Sequence, residues 1–190
     1  MDNLEKALIN FFDYLPQHVN KWNQSVQEGL PFLKAFKNQT YQYRFIKRKK
    51  WSDEMLLKKF PDFERKLLEK IIVGIEQEML QFRNFQNVLA TLNRELFRKH
   101  DVVSKCVKNE LVLQFSCKGT VVPPIWQLIE FAENSKSYYA ALYFQLEVAL
   151  CSLKYGDEST VAEVENTILN ISKTNNEMKD ILAITAFCRE

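Results

Sequence analysis

From Phe63 to Lys99 the chain reads FERKLLEKIIVGIEQEMLQFRNFQNVLATLNRELFRK. Leu68, Ile71, Ile72, Ile75, Met79, Phe82, Phe85, Leu89, Leu92 and Leu96 recur in it at steps of three and four, with one widening at Ile71/Ile72. No Pro and one Gly, Gly74, interrupts the run. That period is the apolar stripe of a helix and not the alternation of a strand. At ~1.5 Å per residue the helix extends on the order of 50 Å. So long an element in so short a chain points to an all-α, elongated bundle of five or six helices with long, coiled-coil-like members.

The rest of the chain fits that frame. Leu4, Leu8, Phe11, Leu15, Val19, Trp22, Val26 and Leu30 form a near-heptad seam over Asn3 to Phe36. Pro16 should kink or divide that helix, and Pro31 should begin a further turn. Lys37 to Trp51 lacks a clear period and reads as loop or frayed helix. Ser52 looks like an N-cap for a short helix carrying Asp53 and Glu54 in its first turn and stopping near Phe60. Pro61 and Asp62 then open the long helix. Val102, Val103, Cys106 and Val107 can extend it, whereas Asn109 to Val122 is ambiguous and compatible with a short extended segment. Pro124 opens a helix to about Tyr155, with Leu128, Leu142 and Leu146 on its inner stripe and Gly156 as its C′ terminator. Shorter helices follow near Glu158 to Ile171 and Asn176 to Phe187. The whole reads as one helical domain over 1–190, with long helices in 3–100, a linker at about 105–123 and C-terminal helices in 124–187.

Composition narrows the function classes. The 190 residues are 46% hydrophobic with only four Gly and five Pro, so a large core is available and a turn-rich β architecture is disfavoured. The net charge of +2 does not mark the whole molecule as nucleic-acid-binding. Charge is nevertheless uneven. Tyr41 to Phe60 holds seven Lys or Arg against Asp53 and Glu54, and Tyr155 to Glu190 holds three against seven acids. Cys106, Cys117, Cys151 and Cys188 match neither a disulfide framework nor a zinc site. MDNLEKAL does not resemble a signal peptide, and the apolar-rich stretch from Tyr138 to Leu153 is too short to span a bilayer. These features suggest a protein of a reducing compartment, cytosolic or nuclear, without membrane association.

Catalysis has few residues to build with. His18 and His100 lie on separate predicted helices, the carboxylate pairs do not share a helix face, and no phosphate-cradling or nucleophile motif is present. No metal or cofactor is expected. Two stretches stand out from the core pattern. YQYRFIKRKKW, Tyr41 to Trp51, interleaves aromatics with Arg44, Lys47, Arg48, Lys49 and Lys50, a combination suited to RNA or to a nuclear-import signal. The helix after Pro124 carries aromatics on more than one face, which makes Trp126, Tyr138, Tyr143 and Phe144 candidate partner-binding residues.

The runs KKFPDFERKLLEKIIVGIEQEMLQF (Lys58 to Phe82) and PPIWQLIEFAENSKSYYAALYFQLEVALCSLKYGD (Pro123 to Asp157), with LEKALINFF, WNQSV and LPFL between Leu4 and Leu33, carry a resemblance. They resemble the small helical ribosome maturation factors that bind the Afg-type AAA ATPase. Phe60-Pro61-Asp62 and Tyr155-Gly156-Asp157 are its sharpest points. The resemblance implies a non-catalytic adaptor acting with the hexameric AAA ATPase and a second small helical subunit. It would serve in the release and recycling of shuttling factors from large-ribosomal-subunit precursor particles. It carries over no catalytic residues. The basic Tyr41 to Trp51 stretch departs from the family pattern, so an RNA-binding module remains a competing reading, with a generic coiled-coil scaffold as another.

Overall fold

The structure is a computed structural model that describes residues 2–49, 58–110 and 123–186. They form five helices: α1 (Asp2–Arg48), α2 (Phe63–Glu110), α3 (Ile125–Ser152), α4 (Glu158–Ile171) and α5 (Asn176–Thr185). Their lengths of 47 and 48 residues make α1 and α2 about 70 Å long.

The predicted stripes bring α1 and α2 together. Leu4, Leu8, Phe11, Leu15, Val19, Trp22 and Val26 are all buried, as are Ile71, Ile75, Phe82, Phe85, Leu89, Leu92 and Leu96. The pairing is antiparallel: Cys106 Sγ faces the Asn3 carbonyl at 3.8 Å, Phe11 meets His100, and Phe36 meets Phe82 at 5.4 Å between ring centroids. Gly29 lets the Phe85 ring approach closely, since a Cβ there would lie 3.2 Å from it.

Helix α3 runs antiparallel to α2, held by His100 to Glu133 and Asn93 to the Tyr139 carbonyl. Helix α4 turns back along α1, where Lys37 meets Glu165 at 2.6 Å and Trp22 donates to the Ile171 carbonyl at 3.1 Å. Helix α5 closes on α1 and α3 through Met178, Ile181 and Thr185. Asp157 caps α4 by accepting from the Ser159 N–H, and Asn175 caps α5 by accepting from the Met178 N–H.

Several expectations change. Pro16 does not divide α1 and Pro31 does not begin a new turn, since both lie within one continuous helix. Each removes one N–H from the helical ladder, and packing of the seam on either side outweighs that loss. Residues 37–48 are the last turns of α1, not a loop or frayed helix. Thr40 completes their seam: it is fully buried between Phe36 and Tyr43, its hydroxyl donating to the Lys37 carbonyl at 3.0 Å. Residues 105–110 of the predicted linker belong to α2. Helix α3 ends at Ser152, not Tyr155, and Leu153 caps it by donating to the Leu150 carbonyl. Gly156 is not a left-handed terminator, because no described glycine has positive φ. Pro124 is the N-cap of α3 and so precedes its first turn. Leu142 is only half-buried, whereas Leu128 and Leu146 are core. The Ser52 cap and the first turns of its short helix, most of the extended segment before Pro123, Cys117 and Cys188 lie outside the described residues, whereas Lys58 and Lys59 are helical and Phe60 is not, the stop expected there.

Candidate functional site

The histidines are structural. His18 on α1 is fully buried, packed edge-on to Tyr139 at 4.4 Å and between Tyr14 and Trp22 at 6.0 Å each. Burial pushes its pKa from 6.5 to about 4; proximity to the Leu92 backbone only partly offsets this, and Lys21 adds to it. Neither ring nitrogen has a hydrogen bond of good geometry. His18 is therefore neutral packing material at the junction of α1 and α3.

His100 sits in a more suggestive arrangement. Its Nε2 lies 2.7 Å from Glu133 Oε2, and its Nδ1 lies 3.3 Å from Ser104 Oγ. Burial lowers its pKa despite Glu133, so the neutral ring donates from Nε2 and accepts the Ser104 hydroxyl. Burial would raise Glu133, but Lys136, His100 and Ser137 together hold it below its ordinary value. Serine, imidazole and carboxylate thus meet in order. Ser104 nevertheless lies inside α2, whose surrounding amides are committed to the helix and leave no oxyanion hole. The cluster ties α2 to α3. Sequence reading missed it because Glu133 comes from a helix 33 residues away. Among the described residues no group of three or more His, Cys, Asp or Glu side chains is placed to hold a metal. No described helix is long and apolar enough to cross a membrane.

The four aromatic candidates of α3 separate. Trp126 and Phe144 are 53% and 64% exposed. They stand eighteen residues apart, about five helical turns, and so share one line on the outer face. Exposed Val148 and Cys151 continue that line. Tyr143 is half-buried against the core. Tyr138 is tied down: its hydroxyl donates to the Lys173 carbonyl at 3.0 Å and accepts the Asn175 N–H at 3.2 Å, joining α3 to the α4–α5 turn. The outer face thus offers two aromatic anchors, Trp126 and Phe144, and not four.

The basic candidates also separate. Arg44 is half-buried and feeds the electrostatic environment of Asp157 at the α4 cap. Lys47 lies over the Tyr43 ring at 5.1 Å, and Tyr43 packs edge-on to Tyr155 at 5.1 Å. These two face the α3–α4 turn. Arg48 and Lys49 are exposed at the helix end, Lys49 lying 5.7 Å from the Phe45 ring. Lys50 falls outside the described residues. The Tyr155-Gly156-Asp157 turn is therefore seated on α1. Phe60-Pro61-Asp62 opens α2, with Phe63 N–H donating to the Phe60 carbonyl at 3.0 Å.

Comparison with known proteins matches this architecture over nearly its full length. The mouse protein named AFG2-interacting ribosome maturation factor is 19% identical over 196 aligned positions, covering 98% of this chain and 89% of its own. The human protein of the same name is 20% identical over 98% of this chain and 95% of its own. The family model described as ribosome biogenesis protein C1orf109-like matches residues 2–187. The helices and both outer faces all lie within that match, and the chain belongs to the C1orf109-like family of ribosome biogenesis proteins.

Proposed function

We propose that this chain is a non-catalytic adaptor that binds an AFG2-type AAA ATPase during large-ribosomal-subunit maturation. In this reading it acts with a second small helical subunit on precursor particles, in the cytoplasm and nucleus, and assists the release and recycling of shuttling factors. The observation that carries the reading is the near-complete alignment with two proteins whose name states an AFG2 interaction. The chemistry agrees with it. Trp126 and Phe144 are large aromatics held outward on a helix whose opposite face is core. Such anchors suit docking, because aromatics bury much area with little loss of side-chain freedom.

The test is affinity purification of the tagged chain in high salt, with Trp126→Ala/Phe144→Ala beside wild type. Wild type should retain the ATPase. The double variant should lose about tenfold or more of its affinity, while its melting stays within about 0.5 kcal/mol of wild type because both side chains are exposed. Wild type that captures no AAA ATPase would overturn the adaptor reading. Normal capture by a well-folded double variant would reject this face and leave the adaptor reading standing.

A further inference from the structure

We infer that the outer face of the last turns of α1 binds single-stranded nucleic acid, stacking bases on Tyr41 and Phe45 and holding phosphates with Lys34 and Arg48. The inference is independent of the ATPase reading and rests on another face of the molecule.

These four residues are spaced seven, four and three apart, which places them along one stripe of the helix. Tyr41 and Phe45 are 62% and 52% exposed. Their rings stack 6.4 Å apart between centroids and 21° from parallel, with Lys49 Nζ 5.7 Å from the Phe45 centroid, which makes one exposed aromatic ledge beside a cation. Lys34 and Arg48 at the two ends of the stripe are exposed, and neither makes an ion pair with a described residue. No acid occurs between Glu28 and Asp53, a span that carries seven Lys or Arg. On neighbouring elements Glu95 of α2 faces Tyr14 near the other end of α1, Glu165 is held by Lys37, and Asp157 lies beside Arg44. Glu165 and Asp157 belong to α4 and its cap, which meet α1 beside this stripe, at Lys37 and Arg44.

Each part of this arrangement has a use on a single strand. Every base offers a π-face, so exposed aromatics stack bases with little sequence preference. Cations without carboxylate partners can neutralise phosphates without first breaking an internal pair. A duplex hides its base faces, and a purely phosphate-binding patch would not require the rings. Tyr41 and Phe45 therefore favour the single strand over the double.

The experiment measures fluorescence anisotropy of labelled mixed-sequence oligonucleotides with the full chain over a salt series. The probes are single-stranded RNA, DNA of the same sequence, and the RNA duplex. Wild type should bind a single strand more tightly than the duplex, and affinity should fall steeply as salt rises. Which single strand it prefers reports whether the 2′-hydroxyl is read, and tight binding to either supports the site. Tyr41→Ala/Phe45→Ala should melt as wild type does and lose about tenfold or more of its single-strand affinity, with an unchanged salt slope. Lys34→Gln/Arg48→Gln should weaken binding and lower the salt slope by roughly one to two. Absence of single-strand binding at low salt would overturn the inference, as would wild-type binding by the aromatic variant. If the same variants bind oligonucleotide normally but fail to capture a protein partner, the face belongs to a protein surface and the inference falls.

Discussion

The middle of the α1–α2 hairpin and the end where Phe63 opens α2 are built from the same kind of stripe but are covered differently. Around Trp22 four helices meet: Trp22 and His18 from α1 pack on Tyr139 of α3, Trp22 reaches the Ile171 carbonyl of α4, and Asn93 of α2 donates to the Tyr139 carbonyl. Toward the hairpin's far end, Ile71 and Ile75 are still buried, but Leu67, Leu68, Ile72 and Met79 are only half-buried and Val73 and Leu80 are exposed. The covering helices explain the contrast. Helix α3 has 28 residues against 48 in α2, so it cannot sheathe the whole hairpin. Stability is thus concentrated where four helices converge, and the apolar residues of α2 near Phe63 have less cover.

Cutting one side chain in each region should separate them most sharply. Trp22→Ala removes a fully buried indole and its bond to Ile171, and should cost about 3–5 kcal/mol. Ile71→Ala sits among half-buried Leu67, Leu68 and Ile72, which can relax into the space, and should fall near the low end for such cuts, about 2 kcal/mol. Denaturant unfolding of the two variants decides the matter. Equal losses would mean that the hairpin is uniformly stabilised along its length.

Much of this organisation is legible in the sequence, because a stripe needs only local spacing. Every predicted seam residue from Leu4 to Val26 is buried, with Leu30 half-buried, and the span expected for a short helix, Glu158 to Ile171, is that of α4. Thr40 hid the last turns of α1, since a threonine counts as a break until its hydroxyl is seen bonding a local carbonyl. Pro16 and Pro31 misled for a related reason: their helix-breaking tendency is local, and the packing that overrides it is not. The junction itself was invisible, because Trp22 and Ile171 stand 149 residues apart. The same limit applies to the surfaces. Aromatic and basic residues could be picked out by type, but only the fold separates outward Trp126 and Phe144 from tethered Tyr138, or Arg48 from half-buried Arg44.

Acid should expose the junction next. His18 has a folded pKa of about 4 against an ordinary 6.5, so the unfolded chain takes up a proton that the folded chain refuses. Its neutral-state stability is fully present above pH 6.5 and is lost as pH falls from about 6.5 toward 4. The loss approaches about 3 kcal/mol. His100 is lowered too and adds in the same direction. Melting curves over this range should fall with pH for wild type and fall less for His18→Leu, which has no imidazole to protonate. An equal pH dependence in the variant would show that carboxylates, and not this ring, set the acid limit.

The smallest effect tests the far end alone. Gly74 lies inside α2, and a Cβ there would meet the Gln39 side-chain amide at 2.8 Å. No described glycine has positive φ, so Ala suits the backbone. The obstacle is the end of a flexible side chain, whose amide oxygen is buried without a hydrogen-bond partner and so breaks no bond on moving. Alanine also favours a helix interior over glycine by up to about 1 kcal/mol. Gly74→Ala should therefore stabilise the chain slightly, by about 0.5 kcal/mol after Gln39 moves. Gly29→Ala makes the control: its Cβ would press on the Phe85 ring at 3.2 Å, a buried group with little room to yield, and should give no gain. Paired melting curves read the difference. If Gly74→Ala destabilises as much as a core cut does, Gln39 is locked, and the far end is packed as rigidly as the junction around Trp22.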